Sequence, residues 1–196
     1  MSLIIRNLND LRNQYSLLFC DVWGCVHNGI EAFKSADLAL TAFRKSGGIV
    51  VLLTNAPRPA KAVKRQLDKI GLSHDSYDHI VTAGDAALEF IKKNNLGKKI
   101  YHIGPAKDKS FFDTLFSTSG TYGFSLTPLQ KADFIVCTGL FNDQTETPEN
   151  YRSIFTRAKA QKLSMICTNP DVFVDFGEKR LFCAGALALN YKEMGG

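Results

Sequence analysis

The feature that most constrains this chain is its alternation of short apolar runs with stretches that carry helical periodicity. The runs "YSLLFCDV", "GIVVLLTN" and "HIVT" read as strands, and the first reads as buried on both faces. Between them, "SADLALTAFRKSGG" places Leu38, Ala39, Ala42 and Phe43 on one helical face, with Ser35 as its expected N-cap. "PRPAKAVKRQLDKIG" does the same with Ala60, Val63, Leu67 and Ile70. Strands alternating with helices imply parallel βαβ units in an open α/β sheet, with the strand ends gathered on the edge where ligands bind.

The pattern breaks at "NNLGKK" and then restarts. "KIYHIG", "ADFIVCTG" and "LSMICTN" read as strands, and "DKSFFDTLFSTSG", "TPENYRSIFTRAKAQK" and "CAGALALNYKEMGG" as helices, Thr147 being the N-cap of the second. The expectation is two α/β lobes, residues 1–97 and 98–196, without internal repeats.

Composition excludes several classes. Lys and Arg number 24 against 19 Asp and Glu, and the excess of +5 is spread along the chain without a basic run. That argues against a nucleic-acid partner and suits an anionic small molecule. There is no signal-peptide pattern and no apolar segment long enough to span a membrane, so a cytoplasmic location is expected. The five cysteines form no C-x-x-C pair and read as reduced, mostly packed thiols.

The chemistry concentrates in "SLLFCDVWGCVHNG". A carboxylate at the end of a buried strand, Asp21, is costly unless a cation or an electrophile uses it. The neighbouring run ends in Thr54 and Asn55, a hydroxyl and an amide for the same sheet edge. Together they could attack and hold a phosphoryl group.

"FCDVWGCVHNG", "VVLLTNAPRP", "ICTNPD" and "FCAGALALNY" together resemble the haloacid dehalogenase superfamily, and within it the class IIA, NagD-like phosphatases. The resemblance runs from Ser16 to Gly196. It implies a Rossmann-like parallel-sheet core (1–97) followed by an α/β cap domain (98–196). Asp21 is then the nucleophile that forms an aspartyl-phosphate, and also a magnesium ligand. The backbone carbonyl of Trp23 is a second ligand for Mg2+. Thr54 holds the phosphate, Asn55 lies near the substrate, and Asn169 and Asp171 belong to a cap loop that selects a small-molecule phosphate ester.

Two departures follow from the same resemblance. Trp23 stands where an aspartate general acid is usual, and general acid–base help is worth roughly 10²–10⁴-fold. His27 offers a replacement titrating near neutrality or a loop residue with structural hydrogen bonds, and Cys25 reads as a packed thiol. The third and fourth motifs, a lysine in G-K-P and then G-D-x-x-x-T-D, are not found in the 196 residues. The resemblance therefore implies an incomplete core lacking its C-terminal part, an inactive 196-residue form, and an open sheet edge that invites a homo-oligomer. Alternatives are a non-catalytic binding protein of this fold, or a dehalogenase-type hydrolase.

Overall fold

The computed structural model describes residues 7–11, 14–117, 123–177 and 179–196. The chain runs β1 (Leu17–Asp21), α1 (Lys34–Lys45), β2 (Ile49–Thr54), α2 (Ala60–Lys69), β3 (His79–Thr82), α3 (Ala83–Lys93), β4 (Lys99–Ile103), α4 (Lys109–Ser117), β5 (Ser125–Leu126), β6 (Phe134–Cys137), α5 (Arg152–Ala160), β7 (Ser164–Cys167), β8 (Phe173–Phe176), β9 (Lys179–Phe182) and α6 (Ala184–Glu193). The chain divides into two compact units. One comprises residues to Thr54 with Ala60–Val81, the other Asn55–Pro59 with Thr82–Gly196.

The first unit holds a sheet of order β1-β2-β3, with β1 and β2 parallel. Val50 and Leu52 of β2, Leu40 and Phe43 of α1, and Val63 and Leu67 of α2 are among its buried apolar residues. The Arg44 guanidinium donates twice to Asp78, at 2.9 and 2.6 Å, and Val50 N–H donates to the same carboxylate at 2.8 Å. These bonds tie the end of α1 to the segment entering β3 and hold Asp78 below the usual carboxylate range, Arg44 contributing most.

The expected double burial of β1 is corrected. Leu17, Phe19 and Asp21 face solvent in alternation with Leu18 and Cys20. Among the described residues β1 is an edge strand with β2 as its one neighbour, and its alternate side chains Leu17, Phe19 and Asp21 lie on a face that stays exposed. Ser35 is also corrected: Phe33 takes the N-cap position, and Ser35 lies inside α1.

The second unit is built on the parallel sheet β5-β4-β6-β7. All four residues of β6 are buried. Phe134 and Val136 enter one core with Ala87, Leu88 and Ile91 of α3 and Phe111, Phe112 and Leu115 of α4. Ile135 and Cys137 enter the other, with Phe155 of α5 and Leu187 and Tyr191 of α6. Both faces are therefore covered by helices, as a parallel sheet requires. The sharing of α3 with β4 and α4 places that helix in the second unit by contact. Sequence reading passed over β5 and the antiparallel hairpin β8–β9. The last residues of the expected helix "DKSFFDTLFSTSG", 118–120, lie outside the described residues.

Candidate active site

Asp21 closes β1 and pairs in register with Leu53, so Thr54 lies one residue further along β2 at the same sheet end. Asp21 is exposed and Thr54 buried. The loop after Asp21 is anchored by Val22 and Val26, which are 2% and 0% exposed, and by the bonds Val26 N–H to Val22 O (2.9 Å) and Phe33 N–H to Val26 O (2.7 Å). An apolar residue on each side of Trp23 thus pins the loop that follows the carboxylate.

The Trp23 ring meets the His27 ring edge-on, with centroids 5.1 Å apart. His27 is itself buried, and Gly29 N–H donates to its Nδ1 at 2.8 Å. An Nδ1 that accepts this bond carries no proton, so His27 serves the loop as a hydrogen-bond acceptor. Cys25 Sγ lies 3.8 Å from Asp21 Oδ2. Burial, and then the Asp21 charge, push the Cys25 thiol up, so it stays protonated beside the carboxylate.

The other expected residues meet within the second unit. Asn55 Nδ2 donates to Asp171 Oδ1 at 2.8 Å, and Asp171 N–H donates to Asn169 Oδ1 at 3.0 Å. The second bond is an Asx turn, which shapes the N-P-D corner. Thr168, fully buried at its base, fastens the corner to β6 through Oγ1–H to Cys137 O at 3.1 Å. Asp21 and Thr54 thus share one sheet end, Asn55, Asn169 and Asp171 share one cluster, and the Thr54–Asn55 peptide bond links the two sets. Arg58, in the same turn as Asn55, lies 3.8 Å from the almost fully buried Asp108, a carboxylate that sequence reading passed over. The signal was available, since Asp108 also follows an apolar strand, β4, by a few residues.

The Asp21 carboxylate and the Trp23 carbonyl are hard oxygen donors, the kind magnesium prefers. They fit the ion in kind. Among the described residues no group of three or more His, Cys, Asp and Glu side chains is placed to hold a metal.

A sequence profile described as haloacid dehalogenase-like hydrolase matches residues 18–115. The chain is 38% identical to a haloacid dehalogenase-like hydrolase from Brucella suis 1330, over 99% of this chain and 71% of that one, with a TM-score of 0.89. This chain belongs to the haloacid dehalogenase-like hydrolase family. NagD from E. coli K-12 is 23% identical, with a TM-score of 0.63, over 93% of this chain and 66% of its own. A 4-nitrophenylphosphatase from Thermotoga maritima is 19% identical, with a TM-score of 0.66, over 95% and 67%. At those identities the likeness is one of fold, and it agrees with the NagD-like resemblance of the sequence. No curated protein matches. The family and the α/β fold expected from the sequence are borne out. Among the described residues no helix is long and apolar enough to cross a membrane.

Proposed function

We propose that this chain contributes the nucleophile and the substrate-selecting loop of a magnesium-dependent phosphomonoester hydrolase of the class IIA branch. One observation carries the reading: an exposed carboxylate, Asp21, ends a parallel strand beside Thr54 in a chain of this family. The names of the fold relatives, a 4-nitrophenylphosphatase among them, support it.

Asp21 attacks phosphorus in line. An Asp21–phosphorus bond forms as the ester phosphorus–oxygen bond breaks, and the leaving oxygen takes a proton. Water then splits the acyl phosphate, releasing inorganic phosphate and restoring Asp21. The Thr54 hydroxyl donates to a phosphoryl oxygen, where charge accumulates. Asp21 and the Trp23 carbonyl would hold magnesium, which when bound neutralises charge on the phosphoryl oxygens. Asn55, Asn169 and Asp171 contact the leaving group of a small phosphate ester. In this reading residues 1–97 act as core and 98–196 as cap, and the protein is cytoplasmic and self-associates.

The test is Asp21→Asn in the longest folded form of the protein that hydrolyses an aryl phosphate. Turnover should vanish while the circular dichroism spectrum is kept; unchanged turnover removes Asp21 from the role. Trp23 favours a second reading, a binding protein of this fold, because an indole cannot protonate a leaving alkoxide. Trp23→Asp separates the two. In an enzyme it raises turnover of alkyl phosphates more than of activated aryl phosphates, since proton donation matters most for a basic leaving group. In a binding protein it leaves both at background.

A further inference from the structure

The turn Asn55–Pro59 is gripped by the second unit at three points. Gly84, at the N-terminus of α3, donates its N–H to Ala56 O at 3.0 Å. A Cβ on Gly84 would stand 2.6 Å from Pro57 O and 2.8 Å from the Arg58 carbonyl carbon, so only glycine permits this approach. Asn55 holds Asp171, as above. The third grip is the pair Arg58–Asp108, in which the Arg58 side chain is 26% exposed and that of Asp108 3%.

The turn Thr168–Asp171 is seated in the same way. Gly185, at the N-terminus of α6, donates to Asp171 O at 3.0 Å, and a Cβ there would stand 2.2 Å from Pro170 O. Two T-N turns, each packed against the N-terminus of a helix that begins A-G, are therefore docked alike and joined by the Asn55–Asp171 bond. Among the described residues, only the first also has a buried carboxylate beneath it.

That carboxylate is supported from behind. Thr138 hydrogen-bonds to Asp108, and His102 Nε2 lies 2.9 Å from Thr138 Oγ1. A hydroxyl that donates to Asp108 must accept from His102, which fixes the proton on Nε2. The chain of bonds runs from His102 through Thr138 to Asp108 and faces Arg58. A buried carboxylate is retained where it is paired, and this one pairs with the turn.

We infer that Asp108 is a positioning residue, which acts through Arg58 to hold the turn Asn55–Pro59, and with it the Asn55 amide, in the geometry the site uses. The inference rests on the proposed hydrolase reading for what the turn does, and on the structure for where the turn sits. Hydrogen exchange of this 196-residue chain, read at Gly84 and at Asn55–Arg58, tests it without requiring activity. Asp108→Asn should speed exchange at these amides about tenfold or more, because local opening is no longer opposed. Arg58→Met should do the same, the double variant should exceed neither, and Arg58→Lys should restore part of the protection. Amides of α5 should not change.

Unchanged exchange in Arg58→Met overturns the inference, even where Asp108→Asn fails to fold, and so does a double variant whose effect is the sum of the singles. Kinetics with 4-nitrophenyl phosphate separate the two claims. Coupled exchange in a protein that never hydrolyses the ester supports the positioning role and removes the hydrolase reading. Hydrolysis that needs Asp21, with no coupling between Asp108 and Arg58, does the reverse.

Discussion

The two sheets of this chain are made of similar apolar runs and finished differently. In the second unit β6 is buried at every residue, its side chains dividing between a core with α3 and α4 and a core with α5 and α6. In the first unit β1 half-buries one face and leaves the other exposed. Leu17, Phe19, Ile49 and Leu53 remain 44%, 62%, 47% and 48% exposed, on the strands that also carry Asp21 and Thr54. An apolar run specifies a strand. How many of its faces are covered depends on which other elements reach it.

The contrast is broken most severely in the core that covers the second sheet. Phe155 is fully buried, 6.0 Å from the Tyr151 ring and 5.2 Å from that of Tyr191. Phe155→Ala removes a ring from a packed site with little room to collapse, and should cost about 3–5 kcal/mol. Urea unfolding measures it. A loss under about 1 kcal/mol would mean that this core is no better filled than the open face of β1.

A smaller effect comes from pH. Burial lowers the His102 pKa to about 4. The imidazole packs edge-on against Phe112, with centroids 4.5 Å apart, and Thr138 takes its Nε2. With a folded pKa below the unfolded one, the unfolded chain binds the proton first. The stability that His102 contributes by staying neutral is therefore present above about pH 6.5 and lost as the pH falls towards about 4. The full loss is about 3 kcal/mol. Urea midpoints at pH 7 and pH 4.5 should diverge in the parent and draw together in His102→Asn. An equal divergence in both would assign the acid sensitivity to other groups.

Much of this was legible in the sequence because it is local. The periodicity of "LALTAFRK" and the apolar run before Thr54 each specify an element within a dozen residues, and both are found. Asp21 and Thr54 were legible as a pair because parallel strands in sequence order bring their ends together. What was not legible depends on distant partners. The exposure of Phe19 depends on what reaches β1, and the burial of Asp108 on Thr138, thirty residues on, and on Arg58, fifty back. The β8–β9 hairpin escaped notice because a strand of four residues, mostly exposed, carries too little pattern to separate from a loop.

The smallest expected effect on stability falls on the open face, and it sharpens the comparison most. Phe19 sits in mid-strand on β1, 62% exposed, flanked on the same face by Leu17 and Asp21. Phe19→Ser removes apolar surface that is largely in water already, so folding stability should change by no more than about 0.5 kcal/mol. Association should change more. An apolar face beside an unpaired strand edge is a template for another copy, and a hydroxymethyl group in place of the ring makes it a poorer one. Sedimentation velocity over a hundredfold range of concentration should show the parent associating and the variant shifted towards monomer. If the variant instead loses stability on the scale of Phe155→Ala, with no change in solution mass, then β1 is covered within its own chain in solution. The contrast between the two sheets would then disappear.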